Sequence, residues 1–219
     1  MLNRRTFLCL TGSLLMTSQR NETASGPASA SRCLRALIWR RMEQPGCEYF
    51  ELRESSSGWM LAGSVVLAEE GQPFAADYTL HCDRQWLTRE ARIVLRRGGV
   101  EQQLHLRVDE QQRWWKGTDE VPQFRGCSDI DLAFSPSTNT LPIRRLALEV
   151  GQGRDVTAAW VRMPDLSLVT LPQRYTRLTE SRYRYESNGG RFVAEVETDE
   201  FGLVLGYPPG WERVVATKG

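Results

Sequence analysis

Ala91-Arg92-Ile93-Val94-Leu95-Arg96-Arg97-Gly98-Gly99-Val100-Glu101-Gln102-Gln103-Leu104-His105-Leu106-Arg107-Val108 is the stretch on which the fold turns. A Gly-Gly pair between two apolar, β-branched runs is two-residue hairpin chemistry. Such a turn needs positive φ, which glycine adopts without steric cost. In the second arm Leu104, Leu106 and Val108 alternate with His105 and Arg107, so one face is buried and the other wet. The period is two rather than 3.6.

The same period extends in both directions. Upstream, residues 49–53 run into Ser55-Ser56-Ser57-Gly58, residues 59–68 into Glu69-Glu70-Gly71-Gln72-Pro73, and residues 74–82 follow. Downstream, Leu146, Leu148 and Val150 alternate, which predicts a strand over 143–150 with Pro142 at its start. Residues 156–161 end at Pro164, and residues 166–170 end at Pro172. Residues 182–186 and 192–196 flank Ser187-Asn188-Gly189-Gly190, a second hairpin signal, and residues 201–205 end at Tyr207-Pro208-Pro209-Gly210. These spacings predict an all-β chain: a single rolled or spiral antiparallel sheet, roll or barrel-like, of about twelve short strands. No long amphipathic helix emerges, and one domain spans 33–216.

Composition narrows the function classes. Of 219 residues 41% are hydrophobic, enough for a core, and 28 basic residues against 27 acidic ones leave no basic excess for a nucleic-acid groove. The longest apolar run, residues 7–16, is shorter than the roughly 20 residues a membrane helix needs. Arg4-Arg5 before Thr6-Phe7-Leu8, that apolar run and a closing Ala28-Ser29-Ala30 outline a twin-arginine type of export signal over residues 1–30. The alternative is an unstructured leader. The chain is exported to the periplasm if the leader acts as a signal, and cytoplasmic otherwise. With Cys9 removed, Cys33, Cys47, Cys82 and Cys127 allow two disulfides in three pairings after export, and stay reduced in the cytosol. His81 and His105 stand apart and no Cys-x-x-Cys exists, so no metal or other cofactor is expected. Nucleophile elbow, phosphate-binding loop and dinucleotide fingerprint are likewise missing from the sequence.

The residues with chemistry cluster in the second half. Asp129 and Asp131 at i and i+2 of a strand share a face, roughly 6.5–7 Å apart. They read either as the acid and base of a glycosidase or as acceptors for Arg144 and Arg145. Ser135-Pro136-Ser137-Thr138-Asn139-Thr140-Leu141-Pro142 reads as a rigid turn or as a polar clamp for sugar hydroxyls, in which Asn139 offers both donor and acceptor. On a strand Arg144 and Arg145 face opposite ways, leaving one to grip an anionic head group. Of the seven tryptophans most fill the core, but in Trp114-Trp115 only one ring can do so, which makes Trp115 a candidate groove-lip contact. Tyr175, Tyr183, Tyr185 and Tyr207 combine an apolar ring with a polar tip, suited to a lipid–sugar boundary.

Several segments together resemble the glycolipid-binding family, also called the spiral β-roll family. They are Trp39-Arg40-Arg41 with Pro45-Gly46-Cys47-Glu48, then Cys82-Asp83-Arg84-Gln85-Trp86-Leu87-Thr88-Arg89, then Gly126-Cys127-Ser128-Asp129-Ile130-Asp131. Ser135-Pro136-Ser137-Thr138-Asn139-Thr140-Leu141-Pro142-Ile143-Arg144-Arg145-Leu146, Pro172-Gln173-Arg174-Tyr175 and Asp199-Glu200-Phe201-Gly202-Leu203-Val204 complete the set. The likeness implies a β-rich roll with an internal groove and a glycolipid-binding role, and it carries over no catalytic residue. Because the family is mostly cytosolic, the leader is a departure. The expectation is a non-catalytic protein that holds a lipid or glycolipid, its tail inside the roll. The candidate contacts are Asp129, Asp131, Asn139, Arg144, Arg145, Gln173, Tyr175 and Trp115. The alternatives are a glycoside or lipid hydrolase using Asp129 and Asp131, and an interaction module of the cell envelope.

Overall fold

The computed structural model describes residues 31–69 and 71–217. The leader expected over 1–30 lies outside the described residues. The hairpin at Gly98-Gly99 forms as its sequence dictates. Strand β5 (Thr88–Arg97) meets β6 (Val100–Val108) with Arg97 opposite Val100, and both glycines take positive φ. Short connections join β1 (Arg32–Arg41), β2 (Gly46–Ser55), β3 (Gly58–Glu69) and β4 (Gln72–Cys82) into one antiparallel meander with β5 and β6. Strands β7 (Trp114–Lys116) and β8 (Asp119–Glu120) extend one edge.

The rest of the chain builds the other half. It comprises β9 (Asp129–Leu132), β10 (Gly153–Val161), β11 (Leu168–Arg177), β12 (Arg182–Ser187), β13 (Phe192–Thr198), β14 (Val204–Tyr207) and β15 (Trp211–Ala216). Pairing of β15 with β1 fuses the halves into one sheet of fifteen strands, ordered 8-7-6-5-4-3-2-1-15-14-13-12-11-10-9. The count exceeds the expected twelve because β7 and β8 are too short to show a period and β15 follows the Pro-Pro turn directly, whereas β14 overlaps the strand expected over 201–205.

Three further expectations are corrected. The sheet is mixed, since β9 and β10 run parallel. Parallel neighbours need a long crossover, here residues 133–152. That crossover contains a helix where a strand was expected over 143–150. A 3-10 turn (Ser137–Asn139) runs into α1 (Thr140–Leu146), with Pro142 in the first turn, where its missing N–H costs nothing. Strand β11 also continues through Pro172. The β12 ladder begins only at Gln173, so Pro172 is an edge position on that side.

The sheet curls until its last strand reaches its middle. Thr88 at the start of β5 donates its N–H to Ser128 O (3.1 Å), and its hydroxyl accepts the Ile130 N–H (3.2 Å). Strands β6 to β8 lie beyond that seam, so the sheet forms an open spiral instead of a closed barrel. Inward side chains of both halves form one apolar core around Trp39, Phe50, Leu80, Trp114 and Phe134. Trp39 and Trp114 satisfy their indole N–H on the carbonyls of Val204 (2.7 Å) and Cys127 (3.0 Å). The four described cysteines are free thiols. Among the described residues no helix is long and apolar enough to cross a membrane.

Candidate functional site

Strand β9 is sandwiched, and its two faces have different chemistry. Ile130 and Leu132 align with Ala159 and Val161 of β10 and are buried in apolar surroundings. Asp129 and Asp131 align with Ala158 and Trp160 on the opposite face. The shared face expected for the two carboxylates is therefore real, but their environments diverge.

Asp129 is wholly buried, and Arg145 of α1 clasps it in a two-point ion pair, with Nε 3.0 Å from Oδ1 and the second amino group on Oδ2. Burial pushes the Asp129 carboxyl up, and the Arg145 guanidinium opposes that. Among the described residues no cation pairs with Asp131. Gln173 Nε2 donates to its Oδ2 at 2.5 Å. Burial lifts the Asp131 carboxyl to about 6, against the pull of the Gln173 amide and with a further push from Asp129. The same Gln173 amide lies 3.0 Å from the Tyr185 hydroxyl.

Asp131 borders a cleft of about 250 Å³ between β9–β12 and the turn at 135–139. Asn139 faces it from the turn, its Oδ1 accepting the Tyr175 hydroxyl (2.9 Å) and its amide bonded to Pro136 O (3.0 Å). Aromatic rings edge the opening: Trp160 from β10, Tyr185 from β12, Phe192 from β13 and Tyr207 from β14. Burial, helped by Asp131, pushes the Tyr207 hydroxyl up to about 12 and raises that of Tyr185 further, so both stay neutral donors. One carboxylate, the amides of Asn139 and Asn188, hydroxyls and flat rings make a surface for a small polyhydroxylated group.

Of the eight sequence candidates, Asp131 and Asn139 border this cleft, Gln173 and Tyr175 stand behind them as their hydrogen-bond partners, and Asp129 with Arg145 supports Asp131's strand from the side. Arg145 also borders a larger open depression of about 690 Å³, which meets the cleft at Ser187. Two candidates lie elsewhere. Arg144 sits on α1, not on a strand, and turns away from the cleft to stack 5.5 Å from the Trp86 ring and bond Glu200 O (3.2 Å). Trp115 is the half-exposed member of its pair, as expected, but borders a different depression with Arg89 and Asp109.

The sequence reading missed the group behind the cleft. Glu48 on β2 is fully buried, 0% exposed. Its Oε1 accepts the hydroxyls of Tyr78 (2.5 Å) and Ser135 (2.9 Å), and Ser137 Oγ lies 2.6 Å from the Tyr78 oxygen. Burial raises the Glu48 carboxyl to about 8, against those two hydrogen bonds. A signal was present: Glu48 has the same parity as the core residues Phe50 and Leu52, an odd place for a charge.

A family model described as "Putative glycolipid-binding" matches residues 36–213. Among solved structures, a DUF1089 family protein from Pseudomonas aeruginosa is 36% identical with a TM-score of 0.71, over 80% of this chain and 95% of that one. No curated protein matches. The match runs from β1 to β15, across the seam and the cleft alike, and the chain belongs to this glycolipid-binding family.

Proposed function

We propose that the protein binds the sugar head group of a glycolipid in the Asp131 cleft, without turning it over. The observation that carries this reading is Asp131 itself, a carboxylate with no cation paired to it among the described residues, facing an opening edged by Trp160, Phe192 and Tyr207. Carboxylate and amide oxygens accept sugar hydroxyls, and aromatic rings pack on the apolar face of the sugar. The family description points to the same ligand class.

In this reading the acyl chains run out past Phe192 and Tyr207 at the mouth, which the apolar core packed inside the roll favours over a tail held there. Hydrolysis is the poorer reading, because a glycosidase needs two working carboxyl groups flanking the bond. Here Arg145 holds Asp129 in a buried ion pair.

Titration with vesicles of phosphatidylcholine carrying a monoglucosyl diacylglycerol tests the proposal. Binding is expected only with the glycolipid, and Asp131→Asn should weaken it about tenfold, the loss of one charge-assisted hydrogen bond. Equal affinity for plain vesicles, or an Asp131→Asn variant that binds as the parent does, would overturn it.

A further inference from the structure

The carboxyl of Glu48 and the cleft share one side chain, Ser135. Its hydroxyl is 2.9 Å from Glu48 Oε1 and 2.8 Å from Ser137 Oγ, it accepts the Ser137 N–H (3.1 Å), and Ser135 also borders the cleft. The same turn continues through Thr138, whose hydroxyl accepts the Leu132 N–H (3.3 Å), to Asn139. Glu48 thus anchors the turn through the Ser135 hydroxyl directly, and through Ser137 by way of Ser135 and Tyr78.

The anchor is incomplete in an informative way. Glu48 Oε1 accepts two donors, whereas Oε2 is buried with no partner. Among the described residues no cation bonds it. In register beside it are Trp39 on β1 and Val65 on β3. A Cβ on Gly63 of β3 would stand 2.6 Å from Oε1, so only glycine leaves room. Tyr78 on β4 is the titratable group that faces it, and burial together with Glu48 holds that phenol well above its ordinary value. Ser135 and Ser137 complete the ring from the turn. An ionised Glu48 would leave a buried anionic oxygen uncompensated, whereas a protonated one is neutral.

We propose that Glu48 is a positioning residue for the cleft: protonated, it holds the 135–139 turn in the shape that receives the ligand, and its ionisation slackens that turn. The carboxyl value near 8 places the change within reach of ordinary buffers. Through Asn139 and Ser135 the turn then grips the sugar less well in alkali. This ligand effect rests on the head-group reading, but the movement of the turn does not.

Amide hydrogen exchange of Ser135, Ser137, Thr138 and Asn139 without ligand, corrected for intrinsic base catalysis, tests the movement between pH 7 and 9.5, above the Asp131 titration. Wild type should lose protection at least tenfold across pH 8, and Glu48→Gln, which keeps the shape without the charge, should stay flat. Glycolipid vesicles titrated over the same range should show a matching loss of affinity in wild type alone. Should Glu48→Gln fail to fold, Ser135→Ala serves instead: the link is cut, so the turn should be poorly protected at pH 7 and show no further step. Parallel curves for wild type and variant would overturn the proposal even if glycolipid binds. A step in the turn with no glycolipid bound at any pH would keep it and overturn the head-group reading.

Discussion

Arg144 and Arg145 are neighbours in sequence and opposites in consequence. Arg145 neutralises Asp129, whose side chain is 1% exposed. Truncating it strands a buried charge, which costs about 3–5 kcal/mol in comparable pairs. Arg145→Ala should therefore lower the urea midpoint sharply, while Arg144→Ala, removing an exposed stacking partner of Trp86, should cost about 1 kcal/mol or less. Equal costs would mean that Asp129 finds another partner. Glu48 gives the second residue-scale expectation, with its sign set by linkage. Its folded value of about 8 exceeds the ordinary 4.5, so between those limits the folded chain holds a proton that the unfolded chain has lost. The stability from this group is complete below pH 4.5 and declines as pH rises to about 8. Glu48→Gln should flatten that decline and be the more stable protein at pH 8.5, by a few kcal/mol on a shift of this size. Thermal melts of both proteins from pH 5 to 8.5 would show it, and parallel slopes would rule it out.

At the scale of elements, hairpins were legible and the crossover was not. Gly98-Gly99 and the Asn188-Gly189-Gly190 turn declare themselves because positive φ restricts the residue choice. Residues 143–150 misled because Leu146, Leu148 and Val150 alternate by chance. Leu148 is buried, but Val150 is 60% exposed, and the chain there is loop. The helix is set by tertiary contact: Thr140 donates its hydroxyl to Gly202 O (3.0 Å), and Ile143 and Arg144 pack against the same glycine. Local pattern carries no trace of Gly202, so the sequence could not reveal it. Half of the cleft was legible for the converse reason. Asp131 and Asn139 stand in an unusual polar string, whereas Trp160 and Phe192 look like any other strand residues until the sheet curls. The helix ends on Ala147 in the left-handed region (φ 44°, ψ 44°), an exposed position where glycine is at ease. Ala147→Gly should stabilise the protein by about 0.5–1 kcal/mol, the relief of strain exceeding the added unfolded-state entropy. A lowered urea midpoint would mean that the helix end relaxes away from that conformation.

For the whole molecule, the deciding contacts join distant parts of the chain. Turn chemistry identifies sequential neighbours, but nothing local announces that β1 pairs with β15, or that β9 returns to the start of β5. A rolled sheet was expected on general grounds, and its open spiral form comes from those two closures. The second rests on few bonds. Thr88 is fully buried and supplies both of them, its N–H to Ser128 and its hydroxyl to the Ile130 N–H. Thr88→Val keeps volume and the first bond but leaves the Ile130 N–H with no acceptor from β5, at a cost of about 1–3 kcal/mol for a buried donor. Because β9 carries Asp129 and Asp131, the loss should spread to the cleft. Exchange of the Ile130 amide should quicken and glycolipid affinity should drop, while amides in the β2–β4 meander keep their protection. Exchange quickening equally across all strands would show that the seam is a part of one cooperative unit. Unchanged exchange at Ile130 would show that the β10 ladder alone holds β9, and the spiral would then owe its closure to the core.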